Sequence, residues 1–237
     1  MASTIQLQRT INLAQQFQRL APLTFAANTA NDPAFSNADW VKQTILSPSL
    51  GGWRWNRVSA TPQTPTFTTT AGVSDYVVAL PNFGWIEKAV AYEVANAYAA
   101  YELQVELIKG VDTLSNQPTR ISAQLDDDSG NITFRVFPAP DEIYAVVVDY
   151  QKSASLFTTL NQTWTPIPDY LSYIVNEGFQ AKAFEYSNDP RFQTSMQLFL
   201  TNLAAEAEGL NQTQKNLWLS DRLNTTRQTA AVQAGRM

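Results

Sequence analysis

The stretch from Asn131 to Tyr186 constrains the fold most, because it passes from two strands to a helix without interruption. Ile132, Phe134 and Val136 alternate with Thr133, Arg135 and Phe137, the period of two of a half-buried strand. Pro138 and Pro140 lack backbone donors and cannot continue a central ladder, and Asp141 favours a turn, so PAPD reverses the chain. A second strand, IYAVVVDYQ, follows Glu142. The polar linker SASLFTTLNQTW then leads to Pro166 and Pro168, which end any strand. Pro168 with Asp169 suits the first turn of a helix, where the missing N–H is not needed and a carboxylate meets the positive helix end. Leu171, Ile174, Val175, Gly178 and Phe179 recur at helical spacing and predict a helix to Tyr186.

Helical patterns flank this stretch at both ends of the chain. Ser3 and Gln6 have capping-box spacing, which predicts a helix from there to Pro22 with Leu7, Ile11 and Ala14 beside Leu13, Phe17 and Leu20. Ser36 and Asp39 form a second capping pair ahead of Trp40, Val41, Ile45 and Leu46. Asp189 as cap and Pro190 at the first position begin another helix, with Phe192, Met196, Phe199 and Leu203 along one side. Between these patterns, glycine pairs, prolines and β-formers take over from Trp53. Candidate strands fall at 65–70, 75–80, 85–94, 101–108, 119–126, 131–138 and 142–152. Trp53 and Trp55 share one face of an expected strand and read as packed aromatic residues at the sheet edge rather than as a ligand platform. The pattern predicts an α+β protein: a helical bundle built from the N- and C-terminal helices, an inserted antiparallel β sandwich or barrel, and an extended C-terminal tail. The expected boundaries are 1–50 and 161–210 for the bundle, 51–160 for the β domain and 211–237 for the arm.

Composition narrows the chemistry. The chain has no Cys and no His, which removes disulfides, thiolate nucleophiles, histidine bases and the usual zinc sites. Charged residues make up 16 % and the net charge is −5, so a general phosphate-binding coat is not expected. No window approaches the roughly 20 apolar residues of a membrane span, and the N-terminus lacks a signal pattern, so manufacture in a cytosol is expected. Asp141 and Glu142 are adjacent in a turn and diverge, which does not make a glycosidase pair. Gly51 and Gly52 belong to no phosphate-binding loop. The expectation is a protein that is not an enzyme and has no cofactor and no metal.

Two segments carry the site expectations. Asp126, Asp127 and Asp128 cluster between two strands. They lack the spacing of a calcium loop, so they read as a solvated hairpin tip or as a tip facing a DNA passage or a partner. In the tail, Leu217, Trp218, Leu219 and Leu223 form an apolar group, and Lys215, Arg222 and Arg227 oppose the sign of the body. Such a segment suits docking on a partner or a neighbouring protomer; the other reading is a C-terminal helix folded back on its parent domain.

The order of these motifs resembles that of the head-to-tail adaptor, or connector, proteins of tailed bacteriophages, including the tubular tail adaptor of T7-like podophages. The likeness rests on WRWNR after the first helix pair, on FRVFPAPDEIYAVVVDYQ, and on TWTPIPDYLSYIVNEGFQAKAFEYSNDP. It implies a structural virion protein that is assembled in the host cytoplasm and sits at the head–tail interface. The implied assembly is a ring of about twelve copies beneath the portal, with unlike lateral faces that close the circle. Implied partners are the portal, a tail tube or nozzle protein, further copies of the chain, and double-stranded DNA that passes without sequence-specific binding. A tail-associated carbohydrate- or receptor-binding module, using Trp53, Trp55, Trp85 and Tyr98 as sugar platforms, is the alternative expectation.

Overall fold

A computed structural model describes residues 3–18, 32–96, 99–110, 115–126 and 131–234. Among these the protein is mixed α+β, and the chain divides into two units: residues 1–56 with 154–237, and Arg57–Ser153.

The first unit holds α1 (Leu7–Gln18), α2 (Pro33–Ile45), α3 (Ser172–Tyr186), α4 (Phe192–Glu206) and α5 (Gln212–Ala234). The start of α1 differs from the capping-box expectation. Gln6 bridges Thr163 instead, and the Asp169 carboxylate accepts from the Ser3 hydroxyl (3.1 Å), the Thr4 hydroxyl (2.6 Å) and the Thr4 amide (2.8 Å). These partners lie about 160 residues away, so no local pattern could announce them. The Thr4 hydrogen bonds, foremost among the causes, hold the Asp169 carboxyl below its usual range. Likewise α2 begins at Pro33, with Asp32 preceding it, so Ser36 and Asp39 lie inside the helix rather than capping it. Asp39 accepts from the Phe157 amide at 2.8 Å.

The α3 face expected from spacing is buried throughout, and it meets Phe35, Val41, Ile45, Phe199 and Leu203 in one core. Gly178 sets the approach of α3 to α4: a Cβ there would stand 2.7 Å from the Phe199 ring. Trp53 also belongs to this core, which corrects the expectation of a strand beginning at that residue. It is 2 % exposed, its Nε1 donates to the Ile45 carbonyl at 2.7 Å, and it stacks on Trp55 with centroids 5.2 Å apart. Arg54–Asn56 is a 3₁₀ turn.

The second unit is one eight-stranded sheet: β1 (Arg57–Val58), β2 (Phe67–Thr68), β3 (Asp75–Val78), β4 (Phe83–Glu93), β5 (Ala99–Val105), β6 (Arg120–Asp126), β7 (Asn131–Phe137) and β8 (Tyr144–Lys152). The order is β1-β8-β4-β5-β6-β7-β3, with β2 also paired to β8. The sheet curls into a half-barrel. Phe67 of β2 stacks on Tyr76 of β3 (4.8 Å) and on Phe134 of β7 (5.4 Å), although β2 and β3 pair at opposite ends of the strand order. Ala91, Leu103, Ile121, Phe134 and Val148 fill the concave side. Two expectations are corrected here. Of the two expected forms, the single curled sheet answers to a barrel left half open and not to a sandwich, and β5 pairs parallel to β6 through Gln104 and Val105, so the sheet is not wholly antiparallel.

Lys42 of α2 is 2 % exposed. Its ammonium donates to the Ser155 hydroxyl at 2.9 Å and sits 4.7 Å from the centre of the Phe157 ring, which fastens α2 to the segment that follows the sheet. Burial pulls its pKa down from 10.5 to about 8, against the opposing pull of Asp39. Between those two values the folded chain binds fewer protons at this residue than the unfolded chain, so the Lys42 contribution to stability grows as pH rises. Wild-type protein should therefore gain on the order of 2 kcal/mol relative to Lys42→Met between pH 7 and 9.5, a comparison in which the tyrosines, common to both proteins, cancel. Urea denaturation of both proteins at the two pH values measures this, and equal slopes would contradict it.

Candidate partner-binding surface

The segment expected to be an extended arm is a helix. Asn211 and Gln214 cap it reciprocally: the Gln214 amide donates to Asn211 Oδ1 and the Asn211 amide donates to Gln214 Oε1, each at 2.9 Å. This is the capping-box arrangement with Asn and Gln as partners. Gln212 reaches Asn216 one turn later at 3.1 Å. The N-x-x-Q spacing was visible in the sequence beneath a composition that looked like a polar tail.

Helical periodicity then divides the expected partner residues. Trp218, Leu219 and Leu223 are half-buried against the core of their own unit, and the Trp218 indole donates to the Ser49 hydroxyl at 3.0 Å. Lys215 Nζ donates to the Ala205 carbonyl at 2.7 Å, a cation at the C-terminal end of α4. Arg222 lies over the Trp218 ring, 5.7 Å from its centre. Leu217, about 200° around the helix from Leu219, points away from the unit and is 67 % exposed. Arg227 lies in α5, and its side chain falls outside the described residues. A cavity of 210 Å³ lies where α5 covers the unit, lined by Trp40, Lys182, Glu185, Met196 and Arg222 among others. The start of α5 is fixed from the other side by backbone: a Cβ on Gly209 would stand 2.1 Å from the Gly51 carbonyl oxygen, and Gly51 itself has φ +76°.

Asp126 closes β6, paired in register with Asn131, while Asp127 and Asp128 lie outside the described residues. Two members of the expected sugar platform are taken up by packing. Trp53 is buried, Trp55 packs on it, and Tyr98 lies outside the described residues. An exposed group that the sequence reading missed joins the start of α3 to the end of α4. Tyr170 and Tyr173 are 61 % and 40 % exposed, and the Tyr173 hydroxyl donates to Glu206 at 2.8 Å. Desolvation, reinforced by that glutamate, pushes the Tyr173 phenol up to about 12. Glu208 ties the same region to Arg54 at 3.8 Å. The signal for this group was the tyrosine pair Tyr170 and Tyr173, one helical turn apart and off the apolar face.

The described residues thus offer contact surface: exposed rings beside carboxylates, and a long helix held along one side. No described helix is long and apolar enough to cross a membrane. A family model for the SU10 adaptor protein matches residues 6–230, which takes in both units. The chain belongs to that family of phage adaptors, structural components of the virion that interact with portal and tail components. No curated protein matches the chain.

The two sides of α5 should respond differently to mutation. Trp218→Ala and Gly209→Ala should each cost about 1–3 kcal/mol and speed amide exchange in α5, because one removes packing and the other forces the backbone apart. Leu217→Ala should change stability by less than about 0.5 kcal/mol. Thermal unfolding with hydrogen exchange reads all three, and an equal loss for Leu217→Ala would show that α5 sits on its unit by another face.

Proposed function

We propose that the chain is a head-to-tail adaptor of the kind carried by T7-like podophages, forming a ring beneath the portal that joins capsid to tail and surrounds the DNA passage. The observation that carries this reading is the family match across residues 6–230, which leaves neither unit unaccounted for. The physical properties of the chain fit the role. Double-stranded DNA must slide through such a ring, and a chain of net charge −5 offers it no deep electrostatic well. Two unlike units give a protomer different lateral faces, which head-to-tail contacts need if they are to close a circle.

In this reading α5 serves as the partner-facing element toward the portal or an adjacent protomer. Lys215, Trp218, Leu219, Arg222 and Leu223 seat the helix, and Leu217 with Arg227 meets the partner. Asp126, Asp127 and Asp128 form a tip toward the channel or a tail protein. For the apolar residues the division follows from burial: Trp218, Leu219 and Leu223 are already packed at home and have little left to gain elsewhere, whereas the exposed Leu217 still has its apolar area to bury.

Native mass measurement of the chain alone, and mixed with its portal, tests the assembly. A monomer or loose oligomer should convert on the portal to a ring of about twelve copies, since a chain without cysteine has no disulfide to lock a ring in advance and the portal would stabilise it by binding. A stable isolated dimer that ignores the portal would count against the adaptor ring.

A further inference from the structure

Two exposed tyrosine rings and three carboxylates share one locality where the start of α3 meets the end of α4. Tyr170 lies in the 3₁₀ turn Asp169–Leu171 and Tyr173 in the first turn of α3, three residues on, a spacing at which side chains of such a turn stand one above the other. Glu206 closes α4 and accepts from the Tyr173 hydroxyl at 2.8 Å, and Glu208 follows two residues later. Desolvation, then the charges of Glu208 and Glu206, push the Tyr170 phenol up. Desolvation, then Glu206 and Glu177, act on Tyr173 in the same direction.

The folded chain leaves the charge of this group largely unanswered. The last turn of a helix carries partial negative charge on its free carbonyls and favours cations, yet α4 ends in Glu206 with Glu208 just beyond. Lys215 donates there to the Ala205 carbonyl. Arg54 approaches Glu208 only to 3.8 Å, and its side chain is 87 % exposed, so water screens the pair. The Arg54 amide holds the Glu208 carboxylate at 3.3 Å, and the Asn202 side-chain amide holds that of Glu177 at 2.8 Å. Both are neutral donors, which position a carboxylate without cancelling its charge.

We propose that this surface receives an arginine from a basic segment of another protein, with the guanidinium lying over the exposed tyrosine rings and donating to Glu206 and Glu208. A planar guanidinium suits the site better than an ammonium, because its face stacks on a ring while its edge donates to carboxylates. The same cation also relieves the two acids at the negative end of α4. Charge selects the source. The chain carries −5, and among its described residues Arg57, Lys88, Arg120, Arg135, Lys182 and Arg191 already sit in internal ion pairs. A second copy therefore brings net repulsion and few cations to spare, whereas a basic partner gains from both the rings and the carboxylates. The site lies wholly within the helical unit and does not depend on the ring, so each reading can fail without the other.

A pentapeptide with one arginine between paired glycines, blocked at both ends, tests this when titrated to about 5 mM into isotope-labelled full chain and followed by NMR. Shifts should saturate and centre on Tyr170, Tyr173, Glu206 and Glu208. The lysine peptide should bind on the order of threefold more weakly, and the peptide with neutral citrulline should not saturate. Tyr170→Leu combined with Tyr173→Leu should weaken the arginine peptide by roughly tenfold, and Glu206→Gln, which keeps both rings, by roughly threefold. Unchanged melting temperatures show that these surface variants are folded. Glu102→Gln, at an exposed acid of the sheet unit, should leave binding as it was. Wild-type affinity in the double tyrosine variant would overturn the proposal, as would equal binding of the lysine peptide. Equal weakening by Glu102→Gln would reduce the effect to the general field of an acidic chain and overturn it too. Shifts at the four residues that grow with protein concentration in the absence of peptide would make the occupant a second copy and overturn the assignment to another protein.

Discussion

β8 is the strand on which the sheet unit depends. Both of its edges are paired: β4 runs along one from Tyr144 to Lys152, and β1 and β2 share the other through Gln151, Tyr150, Val146 and Ala145. Because β2 is only two residues long, threonine hydroxyls complete what its backbone cannot. Thr66 Oγ1 accepts from the Val148 amide at 3.0 Å, and Thr69 Oγ1 accepts from the Tyr144 amide at 2.7 Å. A buried strand with unmet amides would be costly, and these contacts remove that cost while fixing the register. Two Arg–carboxylate pairs add planar two-point contacts: Arg135 with Asp75 between the neighbouring β7 and β3, and Arg57 with Glu87 from β1 to β4 across the intervening β8.

The helical unit depends on long-range polar contacts of the same kind. The first turns of the chain are held by the segment that follows the sheet: the Leu7 amide donates to the Gln162 carbonyl, the Trp164 indole donates to the Thr10 hydroxyl, and Asp169 gathers Ser3 and Thr4. The first of these satisfies an amide that the start of α1 would otherwise leave unpaired, and the others tie down the residues around it. Buried Lys42 belongs to the same set. Its ammonium is costly to bury, and it is kept where a hydroxyl and an aromatic face both meet it.

Membership of an adaptor family makes the parts of the molecule that are least internally satisfied the most informative. Core residues are explained by their neighbours. The exposed Tyr170 and Tyr173, the outward Leu217 and the cavity beside the buried Ser122 hydroxyl are not, and each presents apolar area or hydrogen-bonding capacity that folding leaves unused. Among the described side chains of α5, Trp218, Leu219 and Leu223 pack against the unit while Leu217 is exposed, so one helix combines both roles.

The sequence by itself determined the mixed α+β class, the face of α3 from Leu171 to Phe179, the buried side of α4, and most of the strands. Alternation and helical spacing are local properties that survive in any environment with one dry side. It did not determine what Ser3, Gln6 or Asp39 would bond. Each had the right spacing for a cap, but Asp169, Thr163 and Phe157 stood closer in the folded chain. Nor did it place Trp53 in the helical core, turn one strand pair parallel, or show that the apolar residues of the last segment would point in two directions. Those outcomes were decided by tertiary structure, because a hydrogen-bond partner or a packing partner is chosen by distance in space, and the residues that won were remote in the chain.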